Sequence, residues 1–107
     1  MENTTNAEIL YERIKFMNHL NNIQNDFFTK LKQIQDEVVN VKLCSINSEM
    51  EGVLNEVTYE TIYKIMELLD GYNTKKYQYS IIEKSSGDMI NSDIQLHDVC
   101  ADYLKSE

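Results

Sequence analysis

The chain has 107 residues, of which 42% are hydrophobic and 9% aromatic, and a formal net charge of −8. That length holds a single domain with a modest core, and the apolar content excludes a disordered chain. The negative balance argues against direct contact with nucleic acid or anionic membranes and favours basic partners.

The acidity is uneven. Residues 1–40 carry six acids against four bases, whereas residues 41–107 carry twelve against six. Lys outnumbers Arg nine to one, and Asn and Ile each occur eleven times. Those residues have A- and T-rich codons and point to an AT-rich bacterial or phage genome. Cys44 and Cys100 stand alone, without a CxxC pair, and the polar first residues resemble no targeting segment. Both features read as reduced thiols in a cytoplasmic protein. Uninterrupted apolar runs are two to three residues long, so no segment is expected to span a membrane.

The first 51 residues contain neither Gly nor Pro. Apolar residues recur through them at Leu10, Ile14, Met17, Leu20, Ile23, Phe27, Leu31, Ile34, Val38 and Val41, a mean spacing of about 3.4, close to a coiled-coil repeat. Thr5 or Asn6 can cap this helix, and Glu8 suits its first turn. Unbroken to Val39 it would be roughly 50 Å long, more than a small globule can cover. Either it pairs with a second copy, or it breaks into a helical hairpin within the cluster Asn18, His19, Asn21, Asn22 and Asn25. The expected oligomer interface is Leu10, Ile14, Met17, Leu20, Phe27, Leu31 and Ile34.

From Val39 the rhythm changes. Val39, Val41 and Leu43 alternate with polar residues and predict a short strand or extended connector. Residues 47–56 read as an acidic loop around Gly52. With Glu60, the loop residues Glu49, Glu51 and Glu56 make a candidate docking surface for a Lys- and Arg-rich protein. Thr58 is placed to cap a second helix, with Val57 stapled to Ile62. Its apolar face is Tyr59, Ile62, Ile65, Met66 and Leu69, and Gly71 closes it, with Tyr72 folding back.

Beyond Thr74, Tyr77, Tyr79 and Ile81 alternate with Gln78 and Ser80. A turn at Ser85–Asp88 then lets Met89 and Ile90 pair back, which predicts a β-hairpin. Ser92 and Gln95 match a capping box for a last helix with the stripe Leu96, Val99, Cys100, Tyr103 and Leu104. The sum is a single α+β domain over 1–107. Residues 1–40 form its helical oligomerisation or docking segment, and a small antiparallel sheet in 41–107 packs on two further helices.

Catalytic chemistry is poorly supplied. His19, Cys44, His97 and Cys100 could make a two-His, two-Cys set, but none has a second ligand at zinc-finger spacing. Cys100 lies between Asp98 and Asp102, which would hold its thiol protonated. No apolar surroundings single out one of the many carboxylates as a general acid, and no acidic cluster follows a calcium-loop spacing. Seven tyrosines suit an interface or a sheet face, and only Lys75 and Lys76 could turn them into a nucleic-acid platform. The reading is a non-enzymatic protein, without metal or cofactor, that acts by protein–protein contact. The favoured form is an inhibitor of a basic nucleic-acid-handling protein, of the immunity or phage counter-defence type. The alternatives are a structural or adaptor homodimer, and a small-molecule-binding regulator with its pocket beside the Tyr-bearing hairpin.

Overall fold

A long helical spine with two shorter helices folded against its later turns makes up the described part of the chain, residues 6–43, 48–72 and 77–106 of a computed structural model. Helix α1 runs over Asn6–Leu43, a 3-10 turn over Ser48–Met50 leads directly into α2, Glu51–Asp70, and α3 spans Leu96–Tyr103. The molecule measures 70 × 31 × 21 Å. Its long axis reflects α1, whose 38 residues extend about 57 Å at 1.5 Å each.

Helix α1 is continuous, so the hairpin alternative is excluded. The asparagines that could have broken it face outward: Asn18, Asn21, Asn22 and Asn25 are all exposed, where their side chains turn to water instead of competing for backbone. Asn25 also accepts a hydrogen bond from the Tyr103 hydroxyl at 2.9 Å. At its far end the helix passes through the segment that alternation predicted as a strand. Val39 is buried and Val41 lies two residues, or about 200°, further round and is exposed, so the period of two is a coincidence of helix faces. The described residues of 41–43 are helical, and Cys44 lies outside them.

Sequence reading placed an acidic loop at 47–56 and a helix start at Thr58. Helix α2 instead begins at Glu51 and carries Gly52 in its first turn. Thr58 is an interior residue whose hydroxyl reaches back to the Leu54 carbonyl at 2.7 Å, and Val57 is exposed, so neither the cap nor the staple forms. A Cβ on Gly52 would meet nothing within 4 Å. Gly52→Ala should therefore raise stability by about 0.5 kcal/mol, read as a higher urea midpoint, because it removes backbone freedom from the unfolded chain. The predicted end of α2 does form: Gly71 adopts φ 73°, and its N–H meets the carbonyls of Glu67 and Leu68. The Tyr72 N–H bonds the Glu67 carbonyl at 3.0 Å. A side chain at 71 would also strike the Tyr77 carbonyl.

The α+β assignment is overturned: the described residues hold three α-helices and no named strand or sheet. The segment expected as a hairpin has one isolated antiparallel bridge, Ile82 with Met89. Around it the Ile90 N–H reaches the Ile81 carbonyl and the Glu83 N–H reaches that of Asp88. The ladder then stops because other groups take its partners. Asn91 Oδ1 accepts from the Ile81 N–H at 3.0 Å, Asn91 Nδ2 donates to the Tyr79 carbonyl, and the Tyr79 N–H goes to Leu69 on α2. Two short strands without a third are marginal, and here side-chain bonds and helix contacts replace them.

The core lies where the three helices meet. Phe28, Met66, Leu96, Cys100 and Leu104 are buried together, flanked by Phe27, Leu31, Ile62, Leu69 and Tyr103. Phe28 is fully covered, edge-on to Phe27 at 5.2 Å and stacked on Tyr103 at 5.4 Å. Its burial alone contributes about 2–3 kcal/mol. The predicted stripe of the last helix is the one that enters this core; on α2, Ile65 departs from the predicted face and is exposed.

Candidate interaction surfaces

Every residue of α1 from Asn6 to Asn18 is exposed, so about a third of the helix projects beyond the body as an arm. Ile9, Leu10, Tyr11, Ile14, Phe16 and Met17 stand along it, with Leu10 57% and Met17 59% accessible. Leu10, Ile14 and Met17 lie on the same side of α1 as Phe28 and Gln35. The arm therefore continues the face that α1 buries lower down, but with nothing on it. Of the expected interface, Leu10, Ile14, Met17 and Ile34 are exposed and Leu20 is half-buried. Phe27 and Leu31 pack against the chain's own core.

The acidic set divides. Glu49, Glu51, Glu56 and Glu60 are all exposed. Glu56 and Glu60, one helical turn apart, share a side of α2, whereas Glu51 sits about 140° round from Glu56. Tyr63 and Glu67 extend the Glu56–Glu60 line by steps of three and four. This side meets the N-terminal turn of α3. Tyr63 and Tyr72 both pack edge-on to the His97 ring, at 5.5 and 5.0 Å, and Tyr59 stacks on Tyr63 at 5.8 Å. Burial raises the Tyr63 phenol above its ordinary range, helped by the nearby charges of Glu67 and Asp98 and by Tyr59 and Tyr72.

Two polar centres that sequence reading missed hold these surfaces in place. Asp70, at the end of α2, accepts hydrogen bonds from the N–H groups of Leu96 and His97, each at 2.9 Å, and meets His97 Nδ1 at 2.6 Å. One carboxylate thus caps α3 from another helix. The predicted Ser92–Gln95 capping box does not form: Gln95 occupies the cap position without a side-chain bond, and Asp93 takes a left-handed φ of 58° in the preceding turn. The second centre is Gln35, fully buried on α1. Its Oε1 accepts from the Lys105 N–H at 2.8 Å, and its Nε2 faces the carbonyls of Lys105 and Asn55 and the Thr58 hydroxyl. The available signal was one Gln among apolar positions, between Ile34 and Val38.

Comparison with protein-family models, with curated proteins and with solved structures returns no match.

Of the two-His, two-Cys set, Cys44 lies outside the described residues; His97 Nδ1 is held by Asp70 and the Cys100 thiol faces the His97 carbonyl at 3.4 Å on the same helix, while His19 Nε2 sits 3.2 Å from Asp88. Among the described residues no group of three or more His, Cys, Asp or Glu side chains is placed to hold a metal. Cys100 is buried, and its thiol is pushed up to about 11 by desolvation and by Asp70, Asp102 and Asp98, which removes it as a nucleophile at neutral pH. The cleft beside the Tyr79 segment, lined by Asp70, Gln78, Met89 and Gln95 among others, has a volume of about 160 Å³. That is below the usual range for a small-molecule site, about 300 Å³ and upward, whereas a second cleft between α1 and the same segment, lined by Phe27, Lys30, Glu83 and Ile90 among others, has about 320 Å³.

The loop beneath α1 is fixed by Glu83. Its carboxylate takes the N–H groups of Ser85 and Ser86, at 3.0 and 3.1 Å, and the Ser85 hydroxyl. Those bonds, the Ser85 hydroxyl first, lower the Glu83 pKa to about 2. A depressed carboxylate stabilises the folded loop above its ordinary range, and that contribution is lost as pH falls toward 2. No described helix is long and apolar enough to cross a membrane.

Proposed function

We propose that this is a non-enzymatic binding protein that self-associates through the arm of α1 and presents its acidic body to a basic partner. The observation that carries the reading is the arm itself, a three-turn helix with six large apolar side chains exposed. Exposed apolar surface of that continuity marks contact sites in soluble proteins.

Charge selects a second copy as the arm's occupant. Between Asn6 and Asn18 the acids Glu8 and Glu12 are balanced by Arg13 and Lys15, whereas the remainder from His19 onward has fifteen acids against eight bases. Two bodies repel, and two arms do not. An antiparallel pairing of arms buries the face made by Leu10, Ile14 and Met17, opposes the helix dipoles and holds the acidic bodies at opposite ends. The exposed Glu51, Glu56 and Glu60 of each body then face a basic nucleic-acid-handling protein, whose phosphate-binding surface a dense negative field can occupy. A reducing, cytoplasmic setting suits the buried free thiol of Cys100.

Sedimentation equilibrium tests the assembly. Wild type should sediment as a dimer at micromolar concentration, and Leu10→Asp combined with Ile14→Asp should give a monomer. The same double variant should keep the wild-type helical content, since both positions lie outside the core. A monomeric wild type removes the arm from the proposal.

A further inference from the structure

We infer that the Tyr63 side of α2 is an arginine-accepting site: Tyr63, Tyr72, Glu60, Glu67 and Asp98 together receive a guanidinium presented by a basic protein partner, with Lys64 occupying Glu67 until the partner arrives. This deepens the basic-partner half of the proposed function and rests on it.

Three independent observations meet here. The first is Glu67. It is 95% buried, and its Oε1 receives no hydrogen bond. The nearest cation is Lys64 Nζ at 3.3 Å, on a side chain 66% exposed. A buried carboxylate oxygen without a donor is costly, and a mobile surface ammonium compensates it poorly. A planar guanidinium with five N–H donors is better matched, since it can bond a carboxylate through two parallel contacts.

The second observation is aromatic. Tyr63 and Tyr72 both pack edge-on to the His97 ring, Tyr59 stacks on Tyr63, and Tyr72 is 55% exposed. Tyrosine rings attract a cation through their negative faces, and arginine exploits this more often than lysine. The rings are also rigid: His97 is fixed by Asp70, so the tyrosines around it are positioned before any partner binds.

The third observation is charge. Asp98, 70% exposed, points one oxygen to within 3.4 Å of His97 Nε2. With Glu60 exposed one turn and Glu56 two turns before Tyr63, the rim is acidic on both the α2 and α3 sides. Among the described residues, Lys64 on the adjoining turn of α2 opposes this field. A desolvated carboxylate below, aromatic rings at the wall and solvated acids at the rim are the features expected where an arginine anchors a contact.

The experiment uses fluorescein-labelled hexa-arginine and measures anisotropy with the full chain at about 50 mM salt, where surface attraction is little screened. Glu67→Gln and Tyr72→Ala should each weaken binding about tenfold, the first by removing the charge and the second by removing a ring, and Lys64→Ala should tighten it severalfold. Glu37→Gln, an exposed charge on α1 away from the site, should change it less than twofold, and hexalysine should bind more weakly than hexa-arginine. Thermal melts establish that each variant is folded. Should Tyr72→Ala melt early, Asp98→Asn, at an exposed position, takes its place. If Glu67→Gln behaves like Glu37→Gln, the site is overturned while a diffuse acidic docking surface survives. If wild type fails to bind hexa-arginine at all, the site and the basic-partner reading fall together.

Discussion

Asp70→Ala should cost the fold about 3–5 kcal/mol, the range for removing one member of a buried, hydrogen-bonded charged group, and should lower the urea midpoint accordingly. The size follows from how many donors lose their acceptor at once. The Asp70 side chain is only 2% accessible, and it receives the N–H groups of Leu96 and His97 as well as the His97 ring at Nδ1. Truncation leaves the first turn of α3 uncapped beneath Tyr63 and Tyr72, where water has little access. Asp70→Asn should lie between wild type and Ala, since its amide oxygen still accepts while its NH2 confronts a donor. A double-mutant cycle with His97→Ala separates the two roles. If Asp70 served only the imidazole, removing the ring would abolish the penalty. Because two backbone donors remain, Asp70→Ala in the His97→Ala background should still cost about 2 kcal/mol. An Asp70→Ala variant that unfolds with the wild type would mean that α3 does not depend on this cap.

The helices were legible wherever one face carried the burial. The stripe Leu96, Val99, Cys100, Tyr103 and Leu104 could be read in advance because a 3.6-residue period survives even in an eight-residue helix, and Gly71 could be read because a left-handed position selects glycine. Alternation was the unreliable signal. Val39, Val41 and Leu43 alternate inside a helix, and the Tyr77–Ile82 segment alternates while Leu69 and Asn91 take the bonds a neighbouring strand would have used. Periodicity records which residues are apolar, but not which backbone group finds a partner. The polar centres were hidden for a related reason. Asp70 and Gln35 act across 20 to 70 residues of sequence, so no local spacing announces them. The acidic side of α2 was visible at Glu56 and Glu60, but Glu67 was not distinguished from other surface acids because only packing makes its carboxylate unusual.

Gln35→Leu should destabilise the protein by about 2–3 kcal/mol, although the replacement has similar volume and is more hydrophobic. An apolar side chain at this site fills the space but leaves the Lys105 N–H and carbonyl without the amide that engages both, at 2.8 and 2.6 Å. The consequence should be local before it is global. Leu104 is buried in the core immediately before Lys105, so amide exchange at residues 104 and 105 should accelerate ahead of exchange at Phe28. Gln35→Glu sharpens the test because it replaces a donor by an acceptor. Its carboxylate would face the carbonyls of Asn55 and Lys105 within a fully buried site, which raises its pKa in the folded state above the unfolded value. A carboxylate raised on folding destabilises at pH above its unfolded range and is relieved as pH falls. Gln35→Glu should therefore be less stable than Gln35→Leu at neutral pH and recover part of the difference near pH 4. Equal stability of the two variants across that interval would show that water reaches position 35, and that the tie between α1 and the end of α3 is not made by a buried amide.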